Sequence, residues 1–210
     1  MVPPGVMGPE PIERRPTAAG VPLADPDALA TTLLGAGKTR AAAEEVIRAH
    51  GPRFKLYLLA LLREPDVADD AYSVWCEWIL AAVGRYQGAS SLRTWAFGVA
   101  HNAARRVRDD VFRRRRCSLS RAGVSRTAAR ITSSQGRRER AAQLLEAIRA
   151  RLSLDDQGLI ALRLEHGLAW RSIAAILSGG EPVTAAALRK RFERLKDRIR
   201  RLAREAGALE

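Results

Sequence analysis

The sequence predicts an all-α protein made of two small helical domains joined by a flexible linker. Three observations carry this. Apolar residues recur every three or four positions from Thr39 almost to the end, and no stretch alternates in the strand manner. Pro and Gly residues punctuate the helical runs at Gly51-Pro52, Pro65, Gly84 and Gly179-Gly180. Residues 117–136 break the pattern with a segment rich in Ser, Thr and Arg that contains no acid.

Residues 1–39 are rich in Pro, Gly and Ala without sustained periodicity and read as a disordered leader. Residues 40–116 form the first domain. Its first helix spans 39–63, with Gly51-Pro52 as a kink or break. Pro65 opens a second helix, PDVADDAYSVWCEWILAAVG, and GRYQGASS at 84–91 is a loop. A third helix begins with LRTWAFGVAHNAARRVRD. Residues 117–136 are the linker, and 137–210 form the second domain. Its helical runs are RRERAAQLLEAIRARL, DDQGLIALRLEHG, LAWRSIAAILSGG and VTAAALRKRFERLKDRIRRLAREAG.

The net charge of +13 is focused rather than spread. Residues 93–116 hold eight Arg against two Asp, and 187–204 hold nine basic residues against two acidic ones. The rest of the chain is neutral on balance. Concentrated positive charge favours polyanionic partners, because each phosphate neutralised releases counterions.

Several function classes are disfavoured. Cys76 and Cys117 have no CxxC spacing and no His cluster beside them, so neither a disulfide framework nor a metal site is expected. Cys76 reads as a small core residue, and Cys117 as a residue in or beside a loop. No group of His, Cys and carboxylates has catalytic spacing, so no enzyme and no cofactor is expected. LLGAGKT at 33–39 ends like a phosphate-binding loop, but the glycine the pattern needs five positions before Gly37 is Thr32. No apolar run approaches the ~18 residues of a membrane span. The first residues lack the apolar core of a signal peptide. A soluble, cytoplasmic protein is expected.

Two segments carry a candidate DNA chemistry. LAWRSIAAILSGGEPVTAAALRKRFERL has the form helix, Gly-containing turn, helix. Thr184 is a candidate N-cap, and Leu188, Phe192, Leu195, Ile199 and Leu202 form one apolar stripe. Arg189, Lys190, Arg194 and, further round, Arg191 lie opposite it, where a recognition helix reaches base edges or phosphates. An amphipathic helix with a merely solvated basic face has the same pattern. In the third helix, Leu92, Trp95, Val99, Ala103, Val107 and Val111 share a face, with Asn102, Arg105, Arg106 and Asp109 roughly opposite. Asn and Arg after a Ser-rich loop suit phosphates and exposed bases. Ordinary solubilising arginines on a core helix fit equally well. The helix before it holds Glu64, Asp66, Asp69, Asp70 and Glu77 with Tyr72, Trp75 and Trp78, a character suited to a protein partner or, for the aromatics, to the core.

The order of these parts resembles the extracytoplasmic-function group of bacterial RNA polymerase sigma factors, over about residues 40–205. ADDAYSVWCEWI is similar to that family's region 2.2, which binds the clamp helices of the polymerase β′ subunit. SSLRTWAFGVAHNAARRVRD is similar to the SFRTWLxxxARN signature of regions 2.3 and 2.4, which open and read the −10 element. LDDQGLIALRLEHGLAWRSIAAIL followed by AALRKRFERLK resembles region 4, which reads the −35 element.

The resemblance implies clamp contacts from Asp69, Asp70, Ser73, Trp75 and Glu77. It implies −10 contacts from Gln87, Ser90, Ser91, Arg93, Asn102, Arg105 and Arg106. A flipped-out base would be held by Gln87, Ser90 and Ser91, while Tyr86 stacks on it or belongs to the core. It implies −35 contacts from Thr184, Arg189, Lys190, Arg191 and Arg194. Core RNA polymerase, promoter DNA and an anti-sigma factor are the implied partners, with the linker running through the polymerase. Ser73-Val74 stands where the family often has Gln-Glu, and His101 where Arg is frequent. The turn before Val183 is also longer than usual. Two other functions fit part of the sequence: a stand-alone helix-turn-helix regulator, and a basic RNA-binding protein.

Overall fold

The structure, a computed structural model, describes residues 26–119, 147–148, 151–178 and 183–205. Every regular element among them is helical. In chain order these are α1 (Pro26–Gly35), α2 (Thr39–Leu62), α3 (Pro65–Ala82), a 3-10 turn (Val83–Arg85), and α4 (Leu92–Leu119). There follow α5 (Leu154–Ile160), a π turn (Ala161–Glu165), α6 (Trp170–Leu177), and α7 (Ala185–Glu205).

The helix starts follow local chemistry. Pro65 opens α3 where its missing N–H costs nothing, and Asp66 sits in the positive first turn. The Ser91 hydroxyl oxygen accepts from the Thr94 amide at 3.1 Å and caps α4. Ser153 does the same for Asp156 at α5, and Thr184 for Ala187 at α7, each at 3.1 Å. Helix α2 passes through Gly51-Pro52 unbroken. Pro52 removes one backbone donor, but burial of Val46, Phe54, Tyr57 and Leu58 on either side holds the helix together. At Gly51 the Tyr72 hydroxyl lies where a Cβ would be, so any side chain there would have to displace the end of that ring.

Residues 26–119 form an N-terminal unit whose core is aromatic. The Phe54 ring lies 4.6 Å from both Trp75 and Phe97, and Tyr57 meets Phe97 edge-on at 5.2 Å. Trp75 is fully buried, and its indole N–H donates to the Ala96 carbonyl at 3.2 Å. In the C-terminal unit, residues 147–205, the α7 stripe of Leu188, Phe192 and Leu195 packs against Ile173, Ile176 and Leu177 of α6. Trp170 meets Phe192 edge-on at 5.5 Å. The two units share one continuous core, with α6 laid along α4 and α5 against α2.

The sequence expectation differs at two boundaries. Residues 26–35 are helical, with Ala30 fully buried and the Asp27 carboxylate 2.8 Å from His50 Nε2, so the disordered leader expected over 1–39 does not hold there. PDALATTLLG has little amphipathic period, and tertiary contact rather than pattern makes it a helix. Residues 1–25 lie outside the described residues. Helix α4 runs to Leu119, past the domain end expected at 116, and takes in Cys117. The rest of the expected linker, 120–136, and the helical run at 137–146 also lie outside the described residues.

Trp75→Ala should destabilise the fold by about 3–5 kcal/mol, the usual cost of deleting a large buried ring. Leu80→Ala, at a side chain 49% exposed, should cost under about 1 kcal/mol. Urea unfolding followed by circular dichroism compares the two.

Candidate nucleic-acid interface

Three charged surfaces emerge from the packing. On α3, Asp69, Asp70, Ser73 and Glu77 are exposed. Lys55 of α2 pairs with Asp69 at 2.9 Å, an exposed contact of small energetic weight. Trp75, expected among the polymerase-facing residues, is instead at the centre of the core and offers no surface to a partner. A step of two from Ser73 or Glu77 crosses a helix from its outer to its inner side, and Trp75 sits on that inner side.

On α4, Asn102 and Arg106 are exposed and Arg105 is half-buried. The Arg106 guanidinium lies 5.9 Å from the Trp78 ring, which braces it across the α3–α4 seam. That seam is a groove of about 410 Å3 that brings Asp70 and Ser73 of the acidic helix beside Arg106. In the preceding loop Gln87 is exposed, whereas Ser91 caps α4 and donates to the Thr94 hydroxyl at 2.8 Å. Tyr86 donates to the Ser90 carbonyl and its ring lies 5.8 Å from Trp95. Of the two roles open to Tyr86, packing against the core is the one seen.

On α7, Arg189, Lys190 and Arg194 are exposed on one surface. Arg191 is held elsewhere: its Nε donates to Asp156 at 2.8 Å and its Nη2 reaches the Ser153 hydroxyl at 3.4 Å. It ties α7 to the first turn of α5, so it is not free to read DNA beside its neighbours. Thr184 likewise spends its hydroxyl oxygen on the helix cap.

A fourth cluster was not anticipated, and it lies between the two units. Arg93, expected to face DNA, donates to the His166 carbonyl of the C-terminal unit at 3.3 Å and lies 5.8 Å from the Phe97 ring. Burial, with Arg53 nearby, lowers its guanidinium pKa. The fully buried His101 ring bridges the units: Nδ1 is 3.0 Å from the Tyr57 hydroxyl and Nε2 is 3.1 Å from the Asp155 carboxylate. The hydrogen bond from His101 is the main cause holding Asp155 below the usual carboxylate pKa, so Asp155 is the acceptor. In the neutral ring Nε2–H therefore donates to Asp155, and Nδ1 accepts from Tyr57, whose phenol burial keeps protonated. Gly158 gives α5 its close approach: a Cβ there would meet His101 Cε1 at 3.0 Å and the Tyr57 hydroxyl at 3.4 Å. One sequence signal pointed to this contact. Apolar residues at 95, 96, 97, 99, 100, 103, 104 and 107 spread over about 200° of the circumference of α4, too much for a helix buried on one side.

No protein-family model and no curated protein matches the sequence. Among solved structures, the co-crystal structure of the sigma factor RpoE in complex with the anti-sigma factor NepR from Bartonella quintana is similar. The likeness covers 77% of this chain and 96% of that one, with a TM-score of 0.54 and 19% identity. The chain has a sigma-factor fold. This fits the resemblance carried by the RTW and region 4 motifs and the all-α layout expected from the periodicity. Within the sigma-factor fold, no helix among the described residues is long and apolar enough to cross a membrane.

His166 packs between Tyr57 at 5.7 Å and Phe97 at 4.8 Å, and its Nε2 is buried without a partner. Burial first, then Arg53 and Arg93, lower its pKa to about 4. A histidine whose folded pKa lies below its ordinary value stabilises the fold above that value, and the contribution fades as pH falls from about 6.5 to about 4. Asp155 adds acid sensitivity only below the ordinary carboxylate range. Urea midpoints should therefore fall between pH 7 and pH 4.5, and His166→Phe should flatten that slope while preserving the pH 7 midpoint.

Proposed function

We propose that this chain is a bacterial sigma factor of the extracytoplasmic-function kind. It binds core RNA polymerase, recognises −35 and −10 promoter elements and directs transcription initiation in the cytoplasm, with no catalysis of its own. The observation that carries the reading is the coincidence of a sigma-factor fold with three segregated surfaces. Those are the acidic face of α3, the Asn102–Arg106 face of α4 beside it, and the Arg189–Lys190–Arg194 face of a capped helix-turn-helix.

The clamp contact falls to Asp69, Asp70, Ser73 and Glu77, a surface whose charge repels DNA and suits a basic protein partner. The −10 contact falls to Gln87, Ser90, Asn102, Arg105 and Arg106, joined by Arg93 once it is released from the inter-unit seam. Ser91 supports that loop as a cap. Arg189, Lys190 and Arg194 make the −35 contact, with Thr184 and Arg191 holding α7 in place. Each DNA contact alone is weak, and joining both through the polymerase multiplies them. An anti-sigma factor is a fitting regulator, given that the structurally similar RpoE is bound to one.

Transcription in vitro with core polymerase on a genomic DNA library tests the reading. The expected result is a set of start sites absent with core enzyme alone; none above that background would overturn it. On a promoter so identified, Arg189→Ala and Arg194→Ala should each reduce output about 5- to 100-fold if they contact bases, from the ~1–3 kcal/mol such contacts carry. Unchanged output from the double variant would remove α7 from promoter reading. Tight sequence-specific binding of duplex DNA by the chain alone would instead favour a stand-alone regulator, and tight binding of structured RNA an RNA-binding protein.

A further inference from the structure

We propose that Arg53, Arg93 and His166 form a binding site for a small, doubly charged oxyanion: inorganic phosphate, or the terminal phosphate of a small ester. The inference does not depend on the sigma-factor reading, because it follows from the chemistry of these three side chains.

Two aromatic rings bring the three together. The Arg93 guanidinium lies 5.8 Å from the Phe97 ring, and the His166 ring lies 4.8 Å from Phe97 and 5.7 Å from Tyr57. Arg53 stands one helical turn before Tyr57 on the same side of α2. Helix α2, helix α4 and the π turn thus each contribute one basic side chain. Arg93 and His166 are half-buried and Arg53 is exposed, so an ion can enter from solvent.

The cluster is short of negative charge. Among the described residues the Arg53 side chain makes no hydrogen bond or ion pair. Arg93 donates through Nη2 to the His166 carbonyl at 3.3 Å, while its Nε and the Nε2 of His166 are both buried without a partner. After burial, Arg53 is the next cause lowering the pKa of Arg93, and Arg53 and Arg93 together lower that of His166. Asp27 of α1 opposes this at Arg93, but it acts less strongly than Arg53 and its carboxylate is bonded to His50 at 2.8 Å. Like charges gathered in this way raise the free energy of the empty site, and a bound anion lowers it again.

The same chemistry selects the ligand. Guanidinium groups offer planar forks of donors that match the oxygens of a phosphate or sulfate. A backbone phosphodiester carries one negative charge, whereas a terminal phosphate carries nearly two at neutral pH. Two fixed cations favour the second. An anion seated between them cancels the charge that, with burial, keeps His166 neutral. The ring therefore takes up a proton from solvent as the ion binds, and Tyr57, the other titratable group against it, stays protonated throughout. A group whose pKa rises on binding makes binding tighter as pH falls toward its own range, and leaves it flat above.

The test uses the full-length chain and sulfate, which keeps its double charge over the whole pH range. Titration calorimetry reads affinity against sodium chloride of equal ionic strength, and the His166 ring is followed by nuclear magnetic resonance. Sulfate should bind about three-fold or more tighter at pH 5 than at pH 7.5, with the His166 pKa raised in the bound form. Arg53→Gln and Arg93→Gln should each weaken binding about ten-fold, the weight of a charge-assisted contact. His166→Phe should bind at pH 7.5 but lose the pH dependence. Sulfate heat no greater than that of chloride overturns the site, as does unchanged affinity in Arg53→Gln, an exposed position where the helical circular dichroism should persist. Inorganic phosphate should displace sulfate, and a single-stranded oligonucleotide without terminal phosphate should not. Equal displacement by the oligonucleotide overturns the free anion as ligand and gives the site to a nucleic-acid backbone.

Discussion

Helix α4 is covered on two sides at once, and the rest of the molecule is arranged around that fact. One side, through Leu92, Ala96, Ala103 and Val107, completes the core of α2 and α3. The other, through Phe97, His101 and Ala104, receives the C-terminal unit. Asn102, Arg106, Arg108, Arg113 and Arg114 are among the residues left exposed.

Charge follows the same partition. Acidic side chains gather on α3 and basic ones along α4 and on α7, while the seam between the units sets the Arg93 guanidinium and the Asp155 carboxylate beside groups held neutral. His166 is held neutral by burial and two nearby arginines, and Tyr57 by burial first and the Asp155 charge second. His101 is the exception in kind, because a polar ring fully out of water must have its hydrogen bonds made. Each of its two bonds contributes about 1 kcal/mol net, but leaving one unmade in a closed seam would cost up to about 3 kcal/mol. The geometry of closure is therefore specified more sharply than its energy alone would suggest.

Much of this was legible in the sequence. The period of Leu188, Phe192 and Leu195 gave α7 its buried stripe, and Thr184 gave its cap, because both depend on neighbours within a turn. The motif order gave the sigma-factor likeness for the same reason: its signal is local and ordered. What could not be read was tertiary. The sequence leaves Trp75 open to a partner or to the core, and Phe54 and Ala96, both 21 positions away, decide for the core. Arg191 lies further round α7 than Arg189, and its partner Asp156 comes from α5, 35 positions away. Residues 26–35 lack periodicity and become a helix by packing on α2. His101 stood out only as a departure from a motif; its partners are 44 and 54 positions away.

The join between the units is more than its polar contacts. Phe97, the His166 stack, the hydrogen bond to Asp155 and the one from Arg93 sit beside the apolar packing of α6 along α4, which belongs to one continuous core. Apolar burial supplies most of the attraction, because it scales with the area removed from water. The hydrogen bonds to His101 decide which arrangement forms, because a register that left either ring nitrogen unpaired in the seam would lose more than the bond itself is worth.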